Sequence, residues 1–278
     1  MSKTITDVIC PFCGTLCDDL SVVTDDEGKK ILSVENACAI GAEKFLHASD
    51  HSHRVTRPRR LQEDGSFVDI TYEEAIEYTA QMLANAKKPS MYGWSSTNCE
   101  SQSVGHEIAE LCGALVDNTA AVCHGTTLVA VQNVGIPSCT LGEVKNRADR
   151  IIFWGSNPAH GHPRHMSRYS IFPRGYFTGK GQKQRKIIVV DPRCTDTSSL
   201  ADVHLQVEQG QDYELLQALR AAVRGQELTG DIIAGVPKEK VYEAAEMLKS
   251  GRFGVIFFGM GVTQSLGKDH NIDAAIML

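Results

Sequence analysis

The sequence predicts an α/β protein, with a small cysteine-rich unit at the amino terminus followed by doubly wound parallel-sheet domains. Four cysteines open the chain: Cys10, Cys13, Cys17 and Cys38. Three later apolar runs, Ile151-Ile152-Phe153-Trp154, Ile187-Ile188-Val189-Val190 and Val255-Ile256-Phe257-Phe258, lack alternation, which is how strands buried on both faces of a parallel sheet read. Between the last two, Tyr213–Arg224 places Leu215, Leu216, Leu219 and Val223 on one helical face and stops at Gly225. A second helix follows over Lys238–Leu248. Strands alternating with helices give the doubly wound class.

Taken in order, Val8-Ile9 and Leu20–Val23 read as short strands, with a hairpin turn over Asp25–Lys29. Three thiolates on one tight loop plus one delivered from a distance suit a cubane iron–sulfur cluster. A structural zinc site competes, but zinc usually takes two Cys-x2-Cys knuckles, and here the second half holds only Cys38. Disulfides compete as well, although Met1–Val8 lacks the apolar core of a secretory leader. The other five cysteines are scattered, as in a reducing compartment, and Cys99, Cys112, Cys139 and Cys194 read as ordinary buried cysteines.

The basic run Arg54–Arg60 is either a linker or a strip facing an anionic cofactor. Thr71 and Glu74 form a capping box opening a helix through Lys87, and a further helix covers Ser103–Cys112 up to Gly113. Residues 1–57 read as a small unit around the four cysteines.

Composition narrows the function classes. The 278 residues are 42% hydrophobic and 22% charged, enough for a real core. A net charge of −6 argues against a nucleic-acid partner. No apolar run approaches the ~20 residues needed to cross a bilayer, so the chain reads as soluble and cytoplasmic.

The turns after the three strands matter more than the strands. They are Gly155-Ser156-Asn157-Pro158, Asp191-Pro192-Arg193 and Gly259-Met260-Gly261. Ligands of open α/β sheets bind outside the carboxyl ends of the strands. Glycines there let a phosphate approach the backbone, while Asn157, Asp191 and Arg193 are suited to reading a base or ribose. A large nucleotide-like ligand is favoured over a plain Rossmann-like core, and the absence of Gly-x-Gly-x-x-Gly counts against NAD. Between the two halves stands Cys123-His124-Gly125, a soft metal ligand beside a proton donor, or else a buried cysteine next to a surface histidine. Pro163 breaks any helical spacing among His160, His162 and His165, which read as lining a loop near the cofactor.

The ordered set of cysteines, Cys123-His124-Gly125, Gly155–Pro158, Asp191–Arg193 and Gly259–Gln264 resembles the molybdopterin oxidoreductase superfamily, which includes the formate dehydrogenases and dimethyl sulfoxide reductase. Within it, Cys10–Asp19 and Asn157–Tyr169 resemble the B-subunit family of formylmethanofuran dehydrogenases of methanogenic archaea. Formate dehydrogenases generally lack the acidic pair Asp18-Asp19 after the third cysteine.

The resemblance implies the molybdopterin oxidoreductase fold and catalytic CO2 reduction. It also implies that 1–57 is a cluster domain, 58–121 the first part of a discontinuous α/β domain, and 122–278 a dinucleotide-binding α/β domain. It implies a [4Fe–4S] cluster on Cys10, Cys13, Cys17 and Cys38, and Cys123 as protein ligand to tungsten or molybdenum. His124 is implied to handle the proton. Two molybdopterin guanine dinucleotides are implied at Gly155, Ser156, Asn157, Asp191, Arg193, Gly259 and Gly261. Lys44 is the nearest candidate for a bridge between cluster and pterin, although it sits farther along than in the formate dehydrogenases. The implied partners are an amidohydrolase-like subunit, a small pterin-binding subunit, a polyferredoxin and heterodisulfide reductase. A formate dehydrogenase catalytic subunit is the nearest alternative, and a scaffold without its metal is another. The chain stops at Leu278 inside a predicted helix, whereas such proteins continue and supply a catalytic arginine.

Overall fold

A computed structural model describes residues 1–52 and 54–278. The chain divides into two compact units, Met1–Val8 with Ser21–Val122, and Ile9–Leu20 with Cys123–Leu278. In the first, β1 (Lys3–Val8), β2 (Leu20–Thr24) and β3 (Ile31–Glu35) form a three-stranded sheet. β2 and β3 are antiparallel about the expected turn, where the Asp25 N–H donates to Lys30 O at 3.0 Å. The first strand starts earlier than the Val8-Ile9 expected from sequence, because backbone pairing recruits the exposed residues Lys3–Asp7, which carry no continuous apolar signal.

Helix α1 (Ala39–Leu46) is capped by Cys38, whose sulfur accepts from the Gly41 N–H at 3.4 Å. The basic run ends in a hairpin of β4 (Arg59–Leu61) and β5 (Phe67–Asp69). Arg59 pairs with Asp69 at 3.0 Å, and the Arg60 guanidinium lies 4.2 Å from the centre of the Tyr78 ring. Those two residues therefore have partners within their own unit.

Helix α2 (Tyr72–Asn85) opens with both hydrogen bonds of the Thr71–Glu74 capping box. Strand β6 (Ser90–Gly93), helix α3 (Cys99–Cys112) and parallel strand β7 (Leu115–Asn118) follow. α3 begins one turn before the predicted Ser103, because Asn98 Oδ1 caps the Ser101 N–H at 2.8 Å and no apolar period marks that polar first turn. It ends at Gly113, whose φ of +66° is the left-handed stop. A short α4 (Thr119–Cys123) comes next.

The second unit holds α5 (Gly125–Val134), α6 (Leu141–Arg147), β8 (Arg150–Trp154), α7 (Pro158–Gly161), β9 (Lys186–Val190) and β10 (Val203–Leu205). It continues through α8 (Asp212–Val223), a two-residue hairpin of β11 (Ile232–Ile233) and β12 (Val236–Pro237), α9 (Lys238–Lys249), β13 (Gly254–Phe258), α10 (Met260–Thr263) and α11 (Lys268–Met277). The sheet runs β10-β9-β8-β13 and every pair is parallel.

The missing alternation now has its cause. Ile152, Trp154, Ile188 and Val190 pack with α5, α8, α9 and α11, while Ile151, Phe153, Ile187 and Val189 pack with Val144, Met166 and Ile171 on the opposite face. Each such side chain contributes about 1.5–3 kcal/mol by leaving water. β10 went unread because Val203 and Leu205 flank His204 in a run too short to stand out. Among the described residues no helix is long and apolar enough to cross a membrane.

Candidate functional site

From β8 the chain steps outward to β9 and β10, then returns to place β13 on the other side of β8. The strand order reverses there, and in open α/β sheets such a reversal opens a crevice at the carboxyl edge. A cleft of about 390 Å³ occupies that edge, lined by Gly155, Asp191, Arg193, Gly261 and Gln264 among others. Four of the residues expected from the strand-end turns thus meet in one place.

The glycines have a packing reason of their own. A Cβ on Gly261 would stand 2.7 Å from Gly155 Cα, and one on Gly259 would stand 2.5 Å from Gly155 O. The turns after β8 and β13 therefore touch backbone to backbone, and the Gly261 N–H donates to Gly155 O at 3.2 Å. Ser156 adjoins this contact, with its Cα 3.1 Å from that same Gly259 position. Asn157 is held from farther along the chain. Its Oδ1 accepts from the Thr197 hydroxyl at 2.5 Å, and that hydroxyl in turn accepts from the Ala159 N–H. Asp191 is buried and accepts from the Arg193 N–H at 2.9 Å, whereas the Arg193 side chain is exposed.

Two residues of the cleft hold positions to which the sequence assigned no role. Asp212, the first residue of α8, is buried and accepts from Trp154 Nε1 at 2.8 Å. Burial raises its carboxyl above the ordinary range, opposed by the hydrogen bonds from Trp154 and Ser265. Its one signal was an acidic residue at a helix start. Gln264 lies in the quoted run Gly259–Gln264, and its Nε2 donates to Cys123 O at 3.3 Å. That bond ties Cys123 to the cleft wall. Cys123 and His124 are both exposed, at the junction of α4 and α5.

The loop Ile9–Leu20 is closed by the Cys10 N–H donating to Cys17 O at 2.7 Å. Cys10 and Cys17 are buried and Cys13 is half-buried. Cys38 caps α1 in the first unit, and exposed Lys44 stands in the last turn of the same helix. All nine cysteines are free, so no disulfide forms. Cys99 and Cys194 are exposed and Cys112 and Cys139 half-buried, correcting the expectation that these four are buried.

Among the described residues no group of three or more His, Cys, Asp or Glu side chains is assembled to hold a metal ion. The donor chemistry nevertheless fits a sulfur-ligated cluster: three free thiols share one loop, and the fully buried Thr15 hydroxyl within it has no partner among the described residues. Burial raises the Cys17 thiol above its usual value, and the charges of Arg164 and Arg168 oppose that. The hydrogen bonds from Arg164 hold Asp19 below the ordinary carboxylate range.

The three histidines part company. His160 pairs with Asp196 at 2.6 Å, and His162 faces Gly14. His165 is buried, edge-on to Phe257 at 4.8 Å between ring centres, with Nδ1 3.1 Å from Ser170 Oγ. It is thus a core residue rather than part of a cofactor loop. Burial, reinforced by His162, lowers its pKa from 6.5 to about 4. The unfolded chain therefore binds more protons than the folded one between those values, and stability should fall by about 3 kcal/mol as pH drops from 6.5 to 4. Urea midpoints across this window check it, and His165→Gln should flatten the slope.

The sequence profile of the molybdopterin oxidoreductases matches residues 54–278. The B subunit of the tungsten-containing formylmethanofuran dehydrogenase 2 of Methanocaldococcus jannaschii is 55% identical over 279 residues, covering 100% of this chain and 63% of that protein. The chain thus spans less than two thirds of the curated relative's length. Among solved structures, acetylene hydratase from Pelobacter acetylenicus superposes with a TM-score of 0.72 at 16% identity, covering 98% of this chain and 42% of that one. The formyltransferase/hydrolase complex (FhcABCD) from Methylorubrum extorquens in complex with methylofuran gives a TM-score of 0.57 at 22% identity, with coverages of 73% and 52%. These two likenesses speak for the fold. Because the profile takes in every strand of the four-stranded sheet and the cleft at its edge, the chain belongs to the molybdopterin oxidoreductase family.

Proposed function

We propose that this chain belongs to the catalytic B subunit of a formylmethanofuran dehydrogenase. In this role it reduces CO2 to formate in the first step of methanogenesis from CO2. The observation that carries the proposal is the 55% identity to the Methanocaldococcus jannaschii protein across the full chain. When bound, a tungsten or molybdenum centre on two molybdopterin guanine dinucleotides supplies the two-electron chemistry, and a [4Fe–4S] cluster supplies electrons singly.

The chain's own residues bind and orient. Cys10, Cys13, Cys17 and Cys38 hold the cluster, and Cys123 gives its thiolate to the metal. The Gln264 amide fixes the Cys123 backbone, so that the thiolate and the cleft move as one. Gly155, Ser156, Asn157, Asp191, Arg193, Gly259 and Gly261 receive the dinucleotides. His124, exposed beside Cys123, takes up or releases the proton at its imidazole. Lys44, in the last turn of α1, would be the candidate link between cluster and pterin.

The division at 57 and 121 into cluster domain, discontinuous domain and nucleotide domain belongs to the same proposal, as does a cytoplasmic location. So do the partners: an amidohydrolase-like subunit, a small pterin-binding subunit, a polyferredoxin and heterodisulfide reductase. Support for a multisubunit assembly comes from the relative's designation as one subunit of its enzyme and from the FhcABCD complex.

Elemental analysis of the anaerobically prepared protein should find iron together with tungsten or molybdenum. Iron alone would sink the catalytic assignment. Cys123→Ala should abolish CO2 reduction while leaving the iron–sulfur signal intact. Changes one shell out from a metal already cost about 10–100-fold, so loss of the ligand should exceed that. Surviving activity would show that Cys123 is not the ligand.

A further inference from the structure

The two sequence features that set this chain apart, Asp18-Asp19 and the run around Arg164, are joined in space. Arg164 donates two parallel hydrogen bonds to Asp19, Nη1 to Oδ1 at 2.7 Å and Nη2 to Oδ2 at 2.6 Å. Arg168 reaches both carboxylates, with Nη1 2.6 Å from Asp19 Oδ2 and Nη2 bonded to Asp18 Oδ1. Both guanidinium groups are largely buried, with side chains 21% and 18% exposed. Asp19 lies two residues beyond Cys17, so the network fixes two cations beside a buried sulfur. Two buried polar atoms at this place lack a partner among the described residues, Thr15 Oγ1 and Arg168 Nε. Both are donors, and a sulfur acceptor would satisfy them.

We propose that Arg164 and Arg168, locked in place by Asp18 and Asp19, set the reduction potential of the iron–sulfur cluster at Cys17. This rests on the cluster proposed above. One electron entering the cluster makes it more anionic, so fixed cations and N–H groups beside its ligand sulfur stabilise the reduced form more than the oxidised one. The potentials of such clusters respond to local charge, hydrogen bonds to sulfur and solvent exposure. The arginines are positioning residues. The carboxylates keep their charge from swinging out to water.

The test is EPR-monitored potentiometry on the full-length chain, prepared anaerobically and loaded with iron and sulfide. Arg164→Gln should lower the midpoint by a tenfold change in reduction constant, about 59 mV for one electron. Asp18→Asn, which leaves Asp19 to hold both arginines, should move it the opposite way by less. Arg224→Gln, removing the same charge at the end of α8, should leave it unmoved. An unchanged midpoint in Arg164→Gln at wild-type iron content overturns the proposal. Should that variant lose its iron, Arg168→Gln removes the other cation of the network and should also lower the midpoint, and an unchanged midpoint there overturns it equally. A wild-type chain with no four-iron signal would instead remove the cluster itself, and the proposal with it.

Discussion

Arg185→Met should destabilise the second unit by at least about 4 kcal/mol, read as a drop in urea midpoint at unchanged slope. Arg185 is 3% exposed, and its guanidinium makes five hydrogen bonds. Nε donates to Ala148 O at 3.1 Å, Nη1 to Ile171 O at 3.0 Å and to Pro173 O, and Nη2 to Lys145 O at 2.7 Å and Thr178 Oγ1 at 2.9 Å. Lys145 and Ala148 carry final carbonyls of α6, the groups a helix leaves without internal partners. One cation therefore caps a helix and pins the loop after Ile171. Methionine fills much of the space but donates nothing. The carbonyls left behind stay buried, and each orphan costs about 1–3 kcal/mol. Arg185→Lys should recover part of the loss, since one ammonium reaches fewer of the five acceptors.

Gly261→Ala should cost about 3 kcal/mol and pull apart the turns after β8 and β13. Its new methyl would sit 2.7 Å from Gly155 Cα and 2.9 Å from Gly155 O. Both are backbone atoms, so no rotamer change relieves the overlap, and overpacking of this kind costs about 1–3 kcal/mol before any strand moves. Gly155→Ala should be at least as severe, because Gly155 also holds φ at +53°. Gly254→Ala is the control. A Cβ there meets nothing within 4 Å, so stability should hold. Thermal unfolding of the three variants side by side separates close approach from a general intolerance of alanine in this region.

Strands β8 and β9 were legible in the sequence because burial on both faces leaves an unbroken apolar run. β13 carries the same kind of run, although at the edge of the sheet its residues are only half-buried. α8 and α9 were legible because their apolar faces recur at helical spacing. Gly155, Asp191, Arg193 and Gly261 could be placed at one edge because a parallel sheet puts all its carboxyl ends on the same side. Other features left no periodic trace. β6 reads Ser-Met-Tyr-Gly, and its pairing with β7 comes from the crossover through α3 rather than from any run. Asp212 reaches the cleft only because of the path taken between β10 and α8. Arg185 drew no reading from the sequence and His165 was read as lining a loop, since a buried cation satisfied by carbonyls and a histidine among rings are products of tertiary packing.

The ion pairs of Asp18 and Asp19 carry a consequence for the order of synthesis. Arg164 is 145 residues downstream of its carboxylate partner. At about 5–20 residues per second, a ribosome needs roughly 7–30 s to travel that far. Throughout that interval Cys10, Cys13 and Cys17 are already made, while the guanidinium groups that fasten their loop do not yet exist. The loop Ile9–Leu20 therefore stays unfastened until residue 164 has been made, and its thiols must stay reduced while they wait.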